Sequence, residues 1–253
     1  MSQIFDLYVA TETLADDAQQ LGVTVEALQD ISVQVSATLI AQPEAYLQLA
    51  YRVTLPLKCL ATQLTWPKWQ SNKVGFNDYL WEQTCLECFL AGRLIGKNYS
   101  IHNDSLLDHN DRTTNKTTSY IEINASPDGQ YALYEFDSYR NPATLPPKPV
   151  LQADRQTHAF IDWNNISKLQ TASQTSASQL YQYERRFRIP LSQWYDDATC
   201  DSGYDRVLDY IHPCVILSFD ATVLYFAPKH AAPPDFHNRQ YWTPFDRLAA
   251  LTK

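Results

Sequence analysis

The chain is short of positive charge. Its 253 residues carry 20 lysines and arginines against 28 aspartates and glutamates, a formal net charge of -8. That balance argues against a nucleic-acid backbone or an anionic membrane as the main partner. The densest basic cluster, Arg185, Arg186 and Arg188 in YERRFRIP, reads as an alternating strand. No apolar run is long enough to cross a bilayer, and MSQIFDLYVATETLADDAQQ lacks the basic start and apolar stretch of a signal peptide. A cytoplasmic setting is therefore expected. Paired cysteines are also missing: Cys85 and Cys88 form a lone CxxC with no second pair to complete a zinc site. On one strand they would point to opposite faces, so buried free thiols are expected. No nucleophile elbow, phosphate loop or HExxH is present, which favours a binding module over an enzyme.

What the chain does have is alternation. Ile31, Val33, Val35, Ala37 and Leu39 fall on one face of ISVQVSATL, and Leu47, Leu49, Tyr51, Val53 and Leu55 on one face of YLQLAYRVTL. Gln42-Pro43 marks a turn between them, so the pair predicts a hairpin. Further strands are predicted at WEQTCLECFL, YIEINASP, QYALYEFD, THAFIDWN, QYERRFRIPL, CVILSFD and TVLYFAPK, with Asp128-Gly129 as a tight turn. About nine mostly consecutive strands without crossover helices predict an all-β fold, an antiparallel jelly-roll-like β-sandwich. Residues 1–30, with Leu14, Ala18 and Leu21 at helical spacing, read as an appended, partly helical N-terminal extension to a domain spanning 31–253. Polar stretches near 92–119 and 167–179 read as loop insertions, because they offer too little apolar surface to offset ordering entropy. PFDRLAAL predicts a short closing helix.

One residue does not fit an apolar strand. Glu87 lies inside WEQTCLECFL, and an unpaired buried carboxylate costs several kcal/mol. Alternation puts Trp81, Gln83, Cys85, Glu87 and Phe89 on one face of that strand, and Tyr120, Glu122, Asn124 and Ser126 on one face of YIEINASP. Neighbouring strands would then share a surface of acids, amide and aromatic rings, suited to a polyhydroxylated ligand. The alternative is a solvated outer face. In APKHAAPPDFHNRQYW, His230, Asp235 and His237 sit in a proline-stiffened segment that either meets a ligand or anchors a loop.

Three stretches together, LWEQTCLECFL, YIEINASPDGQYALYEFDSYR and LYFAPKHAAPPDFH, resemble the DOMON-like bacterial proteins, which are related to family nine carbohydrate-binding modules. The resemblance runs from Ile31 to His237, with the two polar loops as insertions. It implies a jelly-roll-like sandwich with a ligand site on one sheet or in its mouth, in a superfamily whose members bind sugars or haem. Carried over by motif, the implied site comprises Trp81, Glu87, Glu122, Asn124, Ser126, Tyr134, Tyr139, Arg140, His230, Asp235 and His237, with Thr84 and Cys85 also matching. Leu86 and Ala125 stand where aromatics are commoner, and Tyr131 replaces a tryptophan, which weakens stacking.

The leading expectation is a small-molecule binding module, its ligand a carbohydrate, with no cofactor and no nucleic-acid or membrane partner. Haem sandwiches of the resembled superfamily commonly use methionine among the axial ligands, and with Met1 the single methionine here the resemblance would require bis-histidine ligation. An enzyme could use Glu87 and Glu122 as an acid/base pair if they faced each other across a cleft. A protein-interaction domain is the remaining alternative. The deciding question is whether Glu87 is satisfied by Arg140 or by a ligand.

Overall fold

Alternating burial shapes most of the chain. The computed structural model describes residues 1–41, 44–96, 119–163, 180–194 and 204–251. The strands are β1 Gln3–Val9, β2 Ser32–Ile40, β3 Tyr46–Leu55, β4 Gly75–Phe76, β5 Cys85–Gly96 and β6 Tyr120–Ala125. They continue with β7 Gln130–Phe136, β8 Tyr181–Pro190, β9 Tyr204–Ser218, β10 Val223–Ala227 and β11 Thr243–Pro244. Ten follow the order β4-β7-β6-β5-β9-β10-β1-β2-β3-β8 in one curled sheet, and β11 pairs with β9. All pairs are antiparallel except β4 with β7, so the sheet is mixed. The fold is mostly β.

The β2–β3 hairpin has an unbroken register from Ser32↔Thr54 to Ile40↔Tyr46. The β6–β7 turn is as the sequence predicts: Ser126 N–H donates to Gln130 O at 2.9 Å, and Gly129 takes the positive φ of 116° that the turn needs. Helix α1, Leu14–Leu21, buries Leu14, Ala18 and Leu21 and ends on Gly22 at φ 65°. Helix α2, Val25–Gln29, is capped by Thr24 Oγ1, which accepts the Ala27 N–H at 3.2 Å. Helix α3 is Lys58–Gln63, and α4, Arg247–Ala250, is the short closing helix.

Four expectations need correction. Residues 1–30 are not merely appended: β1 pairs with β2 on one side and β10 on the other, midway along the sheet. QIFDLYV alternates, with Phe5 and Leu7 buried and Ile4 and Tyr8 exposed, but the helical spacing that follows it is the stronger local pattern. THAFIDWN is not a strand. It buries Ala159, Ile161 and Trp163 in alternation, yet makes only isolated bridges such as Asp162↔Arg188. Side-chain periodicity reports which face packs, not whether a neighbour takes the backbone hydrogen bonds. The start of the WEQTCLECFL stretch belongs to a 3-10 turn, Leu80–Glu82, and the strand starts only at Cys85.

The fourth concerns the loop expected at 92–119, whose start is strand. β5 runs to Gly96, opposite a β9 that begins at Tyr204 rather than near Cys214. A register shift falls at Ala91/Gly92, and a Cβ on Gly92 would lie 2.1 Å from the Val207 carbonyl oxygen. Only glycine lets the two backbones approach there. Most of both polar insertions, 97–118 and 167–179, lies outside the described residues.

The main core sits where the two runs of the curled sheet face each other. Val35, Leu49 and Phe187 from β2, β3 and β8 share one buried cluster with Leu86, Ile123 and Val215 from β5, β6 and β9. Tyr51 crosses it to donate its hydroxyl to the Glu87 carbonyl at 2.7 Å, which ties β3 to β5. Burial of each such side chain contributes about 1.5–3 kcal/mol.

Candidate functional site

β6 and residues 85–92 of β5 bury both faces. Leu86, Cys88 and Leu90, with Ile121, Ile123 and Ala125, enter the main core. Cys85 and Phe89, with Tyr120, enter a second cluster on the opposite face, and Glu87 and Glu122 lie on that side with them. The CxxC thiols therefore part company, and both are free. Irregular chain near residues 136–147 and 233–242 and the turn after β1 meet this second face in place of another sheet.

Between these layers lies a cavity of about 630 Å³. Glu87 and Glu122 line it, with Trp81, Phe89, Phe136 and Phe236 as aromatic walls. Arg140 and Asp235 also line it, as do Glu12, Tyr225 and the 142–147 loop. In register, Glu87 stands opposite Asn124 and Phe89 opposite Glu122, so the two acids are diagonal neighbours on one surface.

Their chemistry follows from burial. Glu87 is 2% exposed and Glu122 5%. Burial, then the nearby Glu122 charge, pushes the Glu87 carboxyl well above its ordinary range. Burial lifts Glu122 to about 7, against the opposing pull of Asn124, whose Nδ2 donates to Oε1 at 2.7 Å, and of the Arg140 charge. No cation pairs with Glu87 among the described residues, and the side chain beside its carboxyl is the Cys85 thiol, a weak donor.

Arg140 does not reach Glu87. It binds Asp235 Oδ1 at 2.8 Å, while the Tyr139 hydroxyl donates to Oδ2 at 2.6 Å and the His237 N–H to Oδ1 at 3.1 Å. Burial works against ionising Asp235, but these donors and the Arg140 charge win and its pKa falls below the ordinary value. Arg140 itself sits at φ 50°, a left-handed conformation that few non-glycine residues adopt. There its backbone N–H donates to the Tyr120 hydroxyl at 3.1 Å, and that hydroxyl lies 2.7 Å from His237 Nδ1. The Tyr120 hydroxyl has one proton to give and Nδ1 is within its reach, which assigns the imidazole proton to Nε2, 3.6 Å from Glu122 Oε2. Burial and then the Arg140 charge lower His237 to about 4, so the ring is neutral at pH 7.

Of the residues singled out from sequence, Trp81, Glu87, Glu122, Arg140, Asp235 and His237 line the cavity. Asn124 and Tyr139 support it through Glu122 and Asp235. Three lie elsewhere. Ser126 is buried at the β6–β7 turn with no partner for its Oγ among the described residues, Tyr134 donates to Asp78 Oδ1 at 2.7 Å, and His230 Nε2 donates to the Tyr8 carbonyl at 2.7 Å. Phe89 was legible by alternation from Glu87, whereas Glu12, Phe136, Tyr225 and the 142–147 loop carried no sequence signal for this site. Among the described residues no group of three or more histidines, cysteines or acids is placed to hold a metal, and no helix is long and apolar enough to cross a membrane. Compared with family models, curated proteins and solved structures, the chain matches none.

Proposed function

We propose that this chain is a small-molecule binding module of the DOMON-like kind, a jelly-roll-like β-sandwich whose cavity takes a carbohydrate. One observation carries the reading: Glu87 lines a cavity of about 630 Å³ while Arg140, the cation on the same lining, is held by Asp235. A ligand is then the group left to satisfy Glu87. The volume lies within the range of small-molecule sites, and ring walls beside a few polar groups suit the C–H faces and hydroxyls of a sugar. The free thiols of Cys59, Cys85, Cys88 and Cys214 support a reducing compartment, the cytoplasm.

Binding is favoured over acid/base catalysis by the placement of the two acids. A glycosidase pair flanks the scissile bond from both sides. Glu87 and Glu122 instead rise side by side from adjacent strands.

A glycan array on the full chain tests the proposal, with Glu87→Leu as the comparison. Leucine fills a similar volume but cannot hydrogen-bond a hydroxyl. At least one glycan should bind, about tenfold more weakly to the variant. An array without a single hit, or hits indifferent to the substitution, overturns the reading.

A further inference from the structure

Charge around the cavity is unbalanced. Four carboxyl groups line it, Glu12, Glu87, Glu122 and Asp235, against one guanidinium, Arg140. Arg140 and Asp235 satisfy each other at 2.8 Å. Glu87, 2% exposed, is paired with no cation among the described residues, its side-chain neighbour being the weakly donating Cys85 thiol, and it faces the same space as the rings of Trp81, Phe89 and Phe236. A carboxylate among aromatic rings is matched to an organic cation: the ring faces attract an ammonium group, and the acid gives it a charge-assisted hydrogen bond. An anionic ligand would meet repulsion instead. A bare metal ion lacks its ligand set, since no group of three or more donor side chains is placed for one among the described residues.

We propose that the ligand carries a protonated amine, which docks on Glu87 between these rings. The inference rests on the small-molecule reading above and specifies the charge which that reading leaves open, so an amino sugar joins the two. It has a consequence in protons. In the empty cavity, burial and the Glu122 charge favour a protonated Glu87. An arriving ammonium favours the carboxylate, so docking gives R–NH3⁺ paired with Glu87–COO⁻ and releases one proton to solvent. A neutral sugar leaves that proton in place.

The test is titration calorimetry on the full chain at neutral pH, with about 0.15 M salt to screen the acidic surface. It uses two buffers of different ionisation enthalpy, so that proton release is read directly. Three matched pairs serve as probes: glucosamine with glucose, the β-1,4 glucosamine dimer with cellobiose, and benzylamine with benzyl alcohol. In at least one pair the amine should bind about tenfold tighter than its neutral partner and release a proton. Glu87→Gln should abolish both effects while keeping the wild-type fold by circular dichroism, and Glu184→Gln, an acid outside the cavity, should keep both. Neutral partners that bind as tightly as the amines overturn the amine inference and leave the pocket reading standing. Amines that bind without proton release, or unchanged by Glu87→Gln, overturn it as well. If benzylamine alone gives the signature, the amine inference stands and the carbohydrate reading falls. If no probe binds at millimolar concentration, both fall.

Discussion

The two faces of β5 are equally dry and do opposite things. Leu86, Cys88 and Leu90 on one side and Cys85, Glu87 and Phe89 on the other are all close to fully buried. The first face meets the β2-β3-β8 run of the sheet, whose regular register brings apolar side chains into one buried cluster with it. The second meets loops and turns, among them Pro142, Pro147, Pro233 and Pro234, and a cavity remains. Burial therefore does not separate structural from functional residues in this molecule. What separates them is the covering layer: a sheet closes over its contacts, while irregular chain leaves room for something else.

Cutting a ring from each face should break or sharpen that contrast most. Phe187 is fully buried on β8 and stacks on Tyr51 at 5.6 Å, so Phe187→Ala leaves a void in the closed core and should cost about 3–5 kcal/mol. Phe89→Ala opens onto a cavity that already exists, so less new void forms and the loss should be clearly smaller. Urea midpoints measure both. Equal losses would mean that the second face is closed core too.

The next effect is in pH, and it belongs to the second face alone. Glu122 has its folded pKa raised from 4.5 to about 7, so the folded state binds the proton more tightly than the unfolded chain. That contribution is present in full below the unfolded pKa and is lost as pH rises through the folded one, up to about 3 kcal/mol for a shift of this size. His237 and His212 act in the opposite sense. Burial, with the Arg140 and His230 charges respectively, holds them at about 4 and about 3, so their contribution is lost as pH falls below the imidazole range. Wild-type stability should accordingly fall from about pH 5 to about pH 8 relative to Glu122→Gln, as read by urea midpoints across that range. Parallel curves would place the Glu122 carboxyl in solvent, contrary to its burial.

The closed face was far more legible in sequence than the open one. Period-2 patterns such as Val33, Val35, Ala37 and Leu47, Leu49, Tyr51 report a sheet because every second side chain meets the same layer. The same logic exposed Glu87 and Glu122 as acids in a buried strand. It failed for THAFIDWN, where alternation exists without strand pairing, and for QIFDLYV, which the adjoining helical pattern hid. The cavity's outer wall was illegible for a different reason. Glu12, Phe136, Tyr225 and the 142–147 loop meet only because β1, β7 and β10 bring distant chain segments together, and such long-range closure leaves no local spacing to read. The choice between Arg140 and a ligand for Glu87 stayed open in sequence for the same reason: Arg140 is near enough to lower the Glu122 pKa, but Asp235, 95 residues away in sequence, claims its guanidinium.

That competition supplies the smallest effect and the finest probe. The Arg140 side chain is 54% exposed, so its ion pair with Asp235 is screened, and Arg140→Met should change stability by less than about 1 kcal/mol. The backbone N–H that reaches the Tyr120 hydroxyl survives the substitution, so the tautomer of His237 need not change. What disappears is a positive charge that helps hold His237 at about 4. Its pKa should therefore rise toward the ordinary 6.5, though burial keeps it below that value. Histidine ring signals followed by NMR through an acid titration measure the change, with His212 as an internal reference because its shift comes from burial and His230. A His237 pKa that stays put would mean that the Arg140 charge is spent entirely on Asp235. The open face would then be as electrostatically closed toward Arg140 as the packed core is sterically closed, and a cation entering beside Glu87 would meet no repulsion from that side.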